Sequence, residues 1–233
     1  MRLRTPLLAF VAVVGLSACK SDPAPQDVRG GSAGDSGRSA DSALVTAADL
    51  GRIQGAESAP VWLLVISDFQ CPYCRMWHEQ TYPALVREYI QPGKVRLAYI
   101  NLPLSSHPHA IPAAEAAMCA GAEGKFWPVA DGIFRTQERW TPMPDAMQVY
   151  DSIATAAGVA MPAWRKCVSQ HQTAAMVNAD AARATNIGVQ STPSFVVMRG
   201  QQPVRGISGA HPIETFRAAL DSALAGAAPA GRR

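Results

Sequence analysis

Cys71 and Cys74, two cysteines separated by two residues, are the side chains whose type and spacing most directly allow chemistry. A thiolate attacks a disulfide sulfur, so a pair at this spacing can close a disulfide or pass one to another protein. A thiol in the first turn of a helix lies beside unpaired backbone N–H groups, which lowers its pKa. We therefore predict that Cys71 is an exposed nucleophile and that Cys74 resolves a mixed disulfide.

Two other interpretations of this pair are half of a zinc site and a plain structural disulfide. A zinc site built on Cys-x-x-Cys needs a second ligand pair at matching spacing. The sequence contains no second Cys-x-x-Cys. Redox chemistry is therefore the favoured interpretation, and no metal site is predicted.

The segments on either side of the cysteines predict a strand followed by a helix. Residues 61–66 are continuously apolar and rich in β-branched side chains, which indicates a strand covered on both faces. Residues 74–90 mix polar and apolar side chains at helical spacing, with Pro72 at the helix start and Pro83 expected to kink it. Residues 94–101 alternate as the next strand, so the three segments predict a βαβ unit with a parallel sheet.

The beginning of the chain predicts an export signal. Residues 1–18 combine a basic start with an apolar stretch that is too short for a permanent membrane span. The junction Leu-Ser-Ala-Cys resembles a bacterial lipoprotein processing site, in which Cys19 becomes the lipid-modified first residue. The alternative is an ordinary secretory peptide cut near Ala18. Residues 19–42 are rich in Gly, Ser, Ala, Asp and Pro, which predicts a flexible linker that follows the lipid anchor.

The composition of the 233-residue chain is that of a globular protein, 48% hydrophobic and 17% charged. This length allows one full core, or one domain with an insertion. The net charge of +3 is small and the basic residues are scattered, so we expect no binding to nucleic acid. With Cys19 set aside, the number of cysteines is even, which favours two disulfides in an oxidising compartment.

The pattern of secondary structure predicts an α/β fold that an all-helical block interrupts. Residues 43–104 form the first strand-bearing part, and residues 105–187 carry helical segments without a strand. Residues 188–225 add a strand that begins near Pro193, a hairpin and a closing amphipathic helix. Residues 226–233 predict a disordered tail.

This order of elements resembles the DsbA family of extracytoplasmic thiol-disulfide oxidoreductases. The resemblance is carried by three motifs, which are Asp-Phe-Gln-Cys-Pro-Tyr-Cys at 68–74, Gly-Lys-Phe-Trp at 124–127 and Gly-Val-Gln-Ser-Thr-Pro at 188–193. The resemblance implies a thioredoxin-like fold with an inserted helical subdomain. It also implies that Cys71 and Cys74 form the redox-active pair.

A substrate site beside the dithiol is a further implication of the resemblance. In the family, the proline that matches Pro193 follows a cis peptide bond and faces the two cysteines. The residue that matches Thr192 exposes its backbone to an extended substrate chain. We expect Pro72 and Tyr73 to contact the same substrate. The alternative for Pro193 is a plain strand-starting proline.

Cys119 and Cys167 lie in helical segments of the inserted block and resemble a second pair that some family members join as a disulfide. Such a bond would stabilise the fold by about 4 kcal/mol in the chain-entropy model. Two inert buried thiols are the alternative, because buried cysteines often pack as small apolar side chains.

The histidines give weaker signals. His78 lies one turn after Cys74 and could lower a thiol pKa when it is protonated, while a solvated or packed ring is the alternative. His107 and His109 share a loop, but the sequence offers no further ligands that would complete a metal site there.

The chain departs from the family at one position that matters for proton transfer. The family commonly buries an acidic residue six positions before the first cysteine, and Val65 stands at that position here. Asp68 is the nearest carboxylate, but its place along the strand turns it to the opposite face. Water is therefore the default proton acceptor for Cys74.

The export signal and the helix-start thiolate predict a monomeric enzyme that donates disulfides to unfolded or newly exported proteins, facing the periplasm or the cell exterior. Stabilising the reduced dithiol makes it a better oxidant. The resemblance implies reoxidation by a membrane quinone-linked partner, and no bound cofactor is expected. The alternatives are a membrane-tethered reductase or isomerase, which would serve cytochrome maturation or rescue oxidised cysteines, and a catalytically silent peptide-binding module.

Overall fold

The computed structural model describes residues 33–227, which form a five-stranded sheet with helices packed around it. The strands are β1 (Ile53–Gln54), β2 (Val61–Ser67), β3 (Val95–Asn101), β4 (Ser194–Arg199) and β5 (Gln202–Ser208). The helices are α1 (Ala33–Gly51), α2 (Pro72–Gln80), α3 (Tyr82–Leu85), α4 (Ala110–Gly121), α5 (Phe126–Arg135), α6 (Gln137–Trp140), α7 (Met147–Ala156), α8 (Met161–Ser169), α9 (Ala174–Asn186) and α10 (Ile213–Ala227), with a π-helix at Val86–Ile90. Within residues 33–227, no helix has the length and hydropathy that a membrane span requires.

The strand order is β1-β3-β2-β4-β5, which puts β2 at the centre of the sheet. β2 and β3 pair in parallel, with Val61 opposite Val95 and Ser67 opposite Asn101. The other pairs are antiparallel. Parallel neighbours need a crossover, and here α2, α3 and the π-helix supply it. The predicted βαβ unit is confirmed.

Strand β2 lies centrally because both of its faces are apolar. Val61, Leu63 and Val65 are buried in one cluster with the aromatic rings of α2, β4 and α10, among them Trp77. On the other face, Ile66 packs in a smaller cluster that includes residues of α9. A strand covered on both faces has no solvated side, which explains its continuous apolar run.

The helix that follows the first cysteine is divided rather than merely kinked. The sequence predicts one helix over residues 74–90, whereas α2 ends at Gln80 and α3 begins at Tyr82. Pro83 lies in the first turn of α3. A proline at that position lacks the N–H that would continue the hydrogen bonds of α2, and its ring crowds the preceding turn. The result is two short helices followed by a π-helix.

Helices α4 to α9 lie between β3 and β4, within the block predicted at residues 105–187. Three large aromatic side chains, Trp140, Tyr150 and Trp164, are almost completely buried there. Both indoles donate hydrogen bonds to backbone carbonyl oxygens, Trp140 to Ile133 at 2.8 Å and Trp164 to Ala116 at 2.9 Å. The helical block therefore has its own aromatic core beside the sheet.

The boundaries at both chain ends differ from the predicted ones. Residues 19–42 are predicted as a linker, but α1 begins at Ala33 and takes up the end of that segment. Helix α1 packs against α4, where a Cβ added at Gly51 would lie 2.1 Å from the Gly121 carbonyl oxygen. The composition of residues 19–42 by itself predicts a flexible segment, but in the fold α1 has α4 to pack against. Helix α10 continues to Ala227, inside the tail predicted at 226–233.

Several predictions fall on residues that the structure does not describe. The signal peptide at 1–18, the lipidated Cys19 and most of the predicted linker precede residue 33. The end of the predicted tail follows residue 227. These assignments stay predictions.

Candidate active site

The turn between β2 and α2 places both cysteines at a helix start. Cys71 is the N-cap residue of α2, and Pro72 occupies the first helical position, where its missing N–H removes no helical hydrogen bond. The Cys71 carbonyl accepts hydrogen bonds from the N–H groups of Cys74 at 3.1 Å and Arg75 at 3.2 Å. The strand–dithiol–helix arrangement predicted from the sequence is therefore present.

The two thiols are free, and Cys71 is more enclosed than the sequence predicts. Cys71 is 4% exposed and Cys74 is 1% exposed. The prediction of an exposed Cys71 is wrong, because residues far away in sequence cover it. The exposed part of the site is the dipeptide between the cysteines, since Pro72 is exposed and Tyr73 is 61% exposed.

The segment before β4 covers Cys71. The Thr192–Pro193 peptide bond is cis, as the resemblance implies. The Cys71 thiol donates a hydrogen bond to the Thr192 carbonyl oxygen at 3.4 Å. No hydrogen bond within residues 33–227 uses the Thr192 backbone N–H. Thr192 therefore presents an unpaired main-chain donor next to the first thiol.

The pKa values of the two thiols move in opposite directions. The hydrogen bond from Cys74 is the largest effect on Cys71 and outweighs burial, so that the pKa of Cys71 is lowered to about 6. The side-chain hydroxyl of Thr192 and the N–H groups of Cys74 and Tyr73 also lower the pKa of Cys71. Burial raises the pKa of Cys74 well above the ordinary value, and its bond to Cys71 adds to that shift. Near neutral pH, Cys71 is the thiolate and Cys74 is the thiol that donates to it.

The carboxylate of Asp68 organises the turn that carries the dithiol. Its Oδ1 accepts a hydrogen bond from the Gln70 N–H at 2.7 Å. Its Oδ2 accepts one from the Leu104 N–H at 2.8 Å and lies 2.8 Å from Nδ1 of His107. Asp68 thus ties the active-site turn to the loop after β3. Val65 remains an apolar core residue.

Gln137 is a site residue that the sequence analysis missed. From α6, its Nε2 donates to the carbonyl oxygens of Phe69 at 2.7 Å and Cys71 at 3.0 Å. It is 4% exposed, so this amide is buried against the turn. Nothing in the local pattern around a lone glutamine marks such a contact.

Aromatic rings line the inner side of the turn. Phe69 stacks on Tyr99 with ring centroids 5.0 Å apart, and Phe134 lies 4.9 Å from Phe69. Phe126, from the Gly-Lys-Phe-Trp motif, lies 5.2 Å from Tyr99. These contacts join the turn, β3 and α5 in one apolar cluster that also contains both thiols.

His78 is packed rather than directed at the thiols. Its Nε2 lies 3.2 Å from Oδ1 of Asp131, and its ring stacks on Tyr82 with centroids 4.8 Å apart. His78 is not among the causes that lower the pKa of Cys71. The packed alternative for His78 therefore describes the structure better than the predicted tuning of a thiol.

The loop histidines support the turn. His107 contacts Asp68, and the His109 N–H donates to the Gln70 side-chain oxygen at 2.7 Å. Across the described residues, no group of three or more His, Cys, Asp or Glu side chains is arranged to hold a metal ion.

Cys119 in α4 and Cys167 in α8 form a disulfide, with Cα atoms 5.8 Å apart and a sequence separation of 48 residues. The predicted second pair is therefore confirmed. Both residues are buried in the core of the helical block.

Comparison with known proteins agrees with this architecture. A family model described as "Thioredoxin" matches residues 48–222. The chain is 30% identical over 180 residues to "Na(+)/H(+) antiporter NhaA 3" of Salinispora tropica, which covers 77% of this chain and 26% of that protein. It thus spans about a quarter of the length of the antiporter relatives it matches.

A relative of more similar length is named for disulfide bond formation, and a solved structure shares the fold. The chain is 30% identical over 148 residues to "Probable disulfide bond formation protein D" of Bacillus anthracis, covering 61% of this chain and 67% of that protein. The structure of Wolbachia pipientis alpha-DsbA1 matches with a TM-score of 0.65 at 18% identity, covering 76% of this chain and 92% of that chain, which shows a shared fold. The chain therefore belongs to the thioredoxin family, and it shares its fold with a solved DsbA structure.

Proposed function

We propose that this protein exchanges disulfides with cysteine-containing proteins through Cys71 and Cys74. One observation carries the proposal: the two adjacent thiols have pKa values shifted in opposite directions, with that of Cys71 lowered to about 6. A thiolate at Cys71 is both a nucleophile and a good leaving group, which disulfide exchange requires in its two directions.

In the oxidising direction, the protein begins with a Cys71–Cys74 disulfide. A substrate thiolate attacks the Cys71 sulfur, the bond between the two cysteines breaks, and Cys74 leaves as a thiolate that takes up a proton. A second substrate thiolate then attacks the substrate sulfur of the mixed disulfide. The Cys71 thiolate leaves, so the substrate gains a disulfide and the protein keeps the reduced pair.

Donation of disulfides is favoured over reduction, because the structure stabilises the reduced state. The thiolate of Cys71 gains stabilisation from the Cys74 thiol, the Thr192 hydroxyl and backbone N–H groups. The oxidised form has no thiolate, so it lacks these interactions. A dithiol that is stabilised when reduced has a higher reduction potential and is a stronger oxidant.

The substrate chain is proposed to bind in extended form beside Thr192 and Pro193. The unpaired Thr192 N–H supports this, because it is a main-chain donor that an added strand can use. The exposed Tyr73 and Pro72 offer an apolar contact for substrate residues next to the reacting cysteine.

The proposed location and partners rest on the sequence. Residues 1–18 would direct export, and Cys19 would carry the lipid that holds the protein at a membrane, facing the periplasm or cell exterior. Substrates would be newly exported or unfolded proteins, and a membrane quinone-linked partner would restore the disulfide. We propose a monomer without a bound cofactor, in which the sheet-forming parts at 43–104 and 188–225 flank the helical subdomain at 105–187.

A redox titration of the Cys71–Cys74 couple tests the proposal. We expect a potential well above that of thioredoxin, which lies at about −270 mV. A value near or below that number would instead support a membrane-tethered reductase or isomerase. Loss of all exchange activity, with retention of peptide binding, would support a silent binding module.

A trapping experiment identifies the roles of the two cysteines. Cys74→Ser should accumulate mixed disulfides between Cys71 and substrate proteins, because the intramolecular resolving thiol is gone. The same extract treated with Cys71→Ser is the matched control and should yield none. Equal capture by both variants would contradict the assigned roles.

A further inference from the structure

The hydroxyl of Tyr99, in β3, is a buried polar group without a hydrogen-bond partner. Tyr99 is 2% exposed, and no described residue completes a hydrogen bond with its oxygen. A buried hydroxyl left unpaired is unfavourable, so such a group in a well-packed core calls for an explanation. Its position relative to the dithiol supplies one.

Tyr99 lies on the face of the sheet that carries the second thiol. In the parallel pairing of β2 and β3, Tyr99 is the partner of Val65, and Ser67 follows two residues later on the same face of β2. Tyr99 and Cys74 belong to the same buried cluster. The side chain at position 65 is apolar, so it offers no polar group to Cys74.

Ser67 is the common neighbour of Tyr99 and Cys74. Its hydroxyl lowers the pKa of both groups, although no bond from it to the Tyr99 oxygen is complete in this structure. A negative charge on Cys74 raises the pKa of Tyr99, and both side chains are buried in the same cluster. One thiol and two hydroxyls thus form a small polar cluster inside apolar surroundings.

We propose that the hydroxyls of Tyr99 and Ser67 are the hydrogen-bond donors that stabilise the Cys74 thiolate. The inference rests on the proposed function, because Cys74 becomes a thiolate only during exchange. When a substrate thiolate attacks Cys71, the electron pair of the breaking bond passes to the Cys74 sulfur. The two O–H groups donate hydrogen bonds to that sulfur until it is protonated. The proton comes from solvent, to which the substrate thiol released one when it ionised. In the reverse direction, the same contacts stabilise Cys74 as it loses its proton and attacks.

Tyr99 acts in this scheme as a donor and not as a base. Burial raises the pKa of its phenol well above the ordinary value, so the hydroxyl keeps its proton throughout. Cys74 is 1% exposed, which leaves little room for the water that the sequence analysis assigned as its default proton acceptor. A fixed donor in a site that excludes water stabilises a developing charge without reorganisation.

Other charged groups near this cluster do not offer an equivalent donor. The Cys71 thiolate is negative and disfavours a second negative charge on Cys74, while Asp68 acts on Cys74 through its backbone N–H, which lowers the pKa of that thiol. Arg52 reaches β3, but its Nη1 donates to the Tyr99 backbone carbonyl at 3.1 Å and pairs with Asp180. Among residues 33–227, no Lys, Arg or His side chain hydrogen-bonds the Cys74 sulfur.

The test compares Tyr99→Phe with Tyr150→Phe. Tyr150 is a matched control, because its hydroxyl is also buried and unpartnered, and Cys74 is not among the causes that shift its pKa. Both variants lose one oxygen that makes no hydrogen bond, so neither should unfold the protein. Thermal unfolding of each variant checks this. Ser67→Ala provides a second, independent probe of the cluster.

The measurement separates the two thiols. Reduced protein is mixed with the aromatic disulfide dithionitrobenzoate at acidic pH, where Cys71 forms an adduct and releases one thiolate. A jump to neutral pH then lets Cys74 attack and release the second. We expect Tyr99→Phe to slow the second release by about tenfold, the loss typical for one hydrogen bond to a charged group. Ser67→Ala should also slow it, whereas Tyr150→Phe should match the wild type.

The pH profiles provide the readout that a purely structural role would not change. In Tyr99→Phe, the second release should need a higher pH, while the first reaction of Cys71 should keep its pH dependence. Equal second-phase rates in Tyr99→Phe and wild type would overturn the inference and leave the proposed function intact. Slowing of both phases together would assign Tyr99 to packing and overturn it as well. A wild-type protein that forms no adduct at Cys71 would overturn both proposals.

Discussion

The chain contains two buried cysteine pairs that differ in state. Cys71 and Cys74 are free thiols at the start of α2, whereas Cys119 and Cys167 are joined in a disulfide between α4 and α8. All four residues belong to the same apolar cluster, and none is more than 4% exposed. Burial therefore does not distinguish the free pair from the disulfide-bonded pair.

The polar groups around each pair make the difference. Cys71 has backbone N–H groups, the Thr192 residue and the Cys74 thiol within reach, and these favour its thiolate. The sulfur of Cys119 lies 3.7 Å from the Thr173 hydroxyl. Cys119 itself stands within α4, where backbone N–H groups are used in helical hydrogen bonds. A buried cysteine becomes reactive where unpaired donors face it, and inert where the backbone is fully paired.

The largest expected effect comes from replacing the proposed nucleophile. Cys71→Ser should abolish disulfide transfer to a reduced model peptide, because a serine hydroxyl is not ionised near neutral pH and forms no disulfide. The assay is peptide oxidation followed by mass spectrometry. The control is the double variant Cys119→Ala with Cys167→Ala, which should retain transfer. Activity in the first variant, or its loss from a folded control, would contradict the division of roles between the pairs.

The same double variant should show a large loss of stability. For a sequence separation of 48 residues, the chain-entropy model gives about 4 kcal/mol. Urea unfolding of the oxidised wild type and of the double variant measures the difference in the free energy of unfolding. A change in the free energy of unfolding below about 1 kcal/mol would contradict this prediction, because it would mean that packing alone stabilises the helical block.

The stability of the reduced protein should depend on pH through Cys71. Its pKa is lowered to about 6 in the fold, while an unfolded cysteine ionises at about 8.5. Between these values the unfolded chain binds more protons, so the free energy of unfolding rises with pH. The contribution of roughly 3 kcal/mol is complete above pH 8.5 and lost as the pH falls through 6.

Denaturant unfolding from about pH 5.5 to 8.5 measures this dependence. Cys71→Ser removes the titrating group. The difference in the free energy of unfolding between wild type and variant should therefore grow as the pH rises and disappear at low pH. Parallel profiles for the wild type and the variant would show that the Cys71 thiolate is not stabilised by the fold.

A smaller effect is expected for the amide that holds the redox turn. Gln137→Ala leaves the carbonyl oxygens of Phe69 and Cys71 without their donor, at a cost of about 1–3 kcal/mol. The variant should also slow transfer, because the turn that positions Cys71 is less constrained. Gln148→Ala, at an exposed position in α7, is the matched control and should change neither quantity. Indistinguishable unfolding curves for the two variants would rule out a positioning role for Gln137.

The smallest effect is expected at the exposed edge of the dithiol. Tyr73→Ala should leave stability within about 0.5 kcal/mol, because the side chain is 61% exposed. It should raise KM for a peptide substrate by about threefold, which corresponds to less than about 1 kcal/mol of contact energy. Tyr73→Phe keeps the ring and should restore the wild-type KM. An unchanged KM in the alanine variant would remove Tyr73 from the proposed substrate site.

Much of the fold could be predicted because its signals are local. The apolar run of residues 61–66 and the helical spacing after Cys74 are properties of neighbouring residues, and both elements form as expected. The motif resemblance also anticipated the cis bond before Pro193 and the disulfide of Cys119 and Cys167. The prediction of a flexible linker at residues 33–42 was wrong, because composition does not reveal that α1 packs against α4.

The details of the site depend on contacts between distant parts of the chain. The sequence marked Cys71 and Cys74 as a dithiol through their spacing and the helix that follows. It did not predict that Thr192 would accept a hydrogen bond from Cys71 or that Gln137 would bond the Cys71 carbonyl. Nor did it predict an unpaired Tyr99 hydroxyl in the buried cluster that contains Cys74. Secondary structure follows from backbone geometry and side-chain periodicity within a few residues. The burial and hydrogen bonding of a reactive group are set by which distant segments pack around it, and no local pattern records that choice.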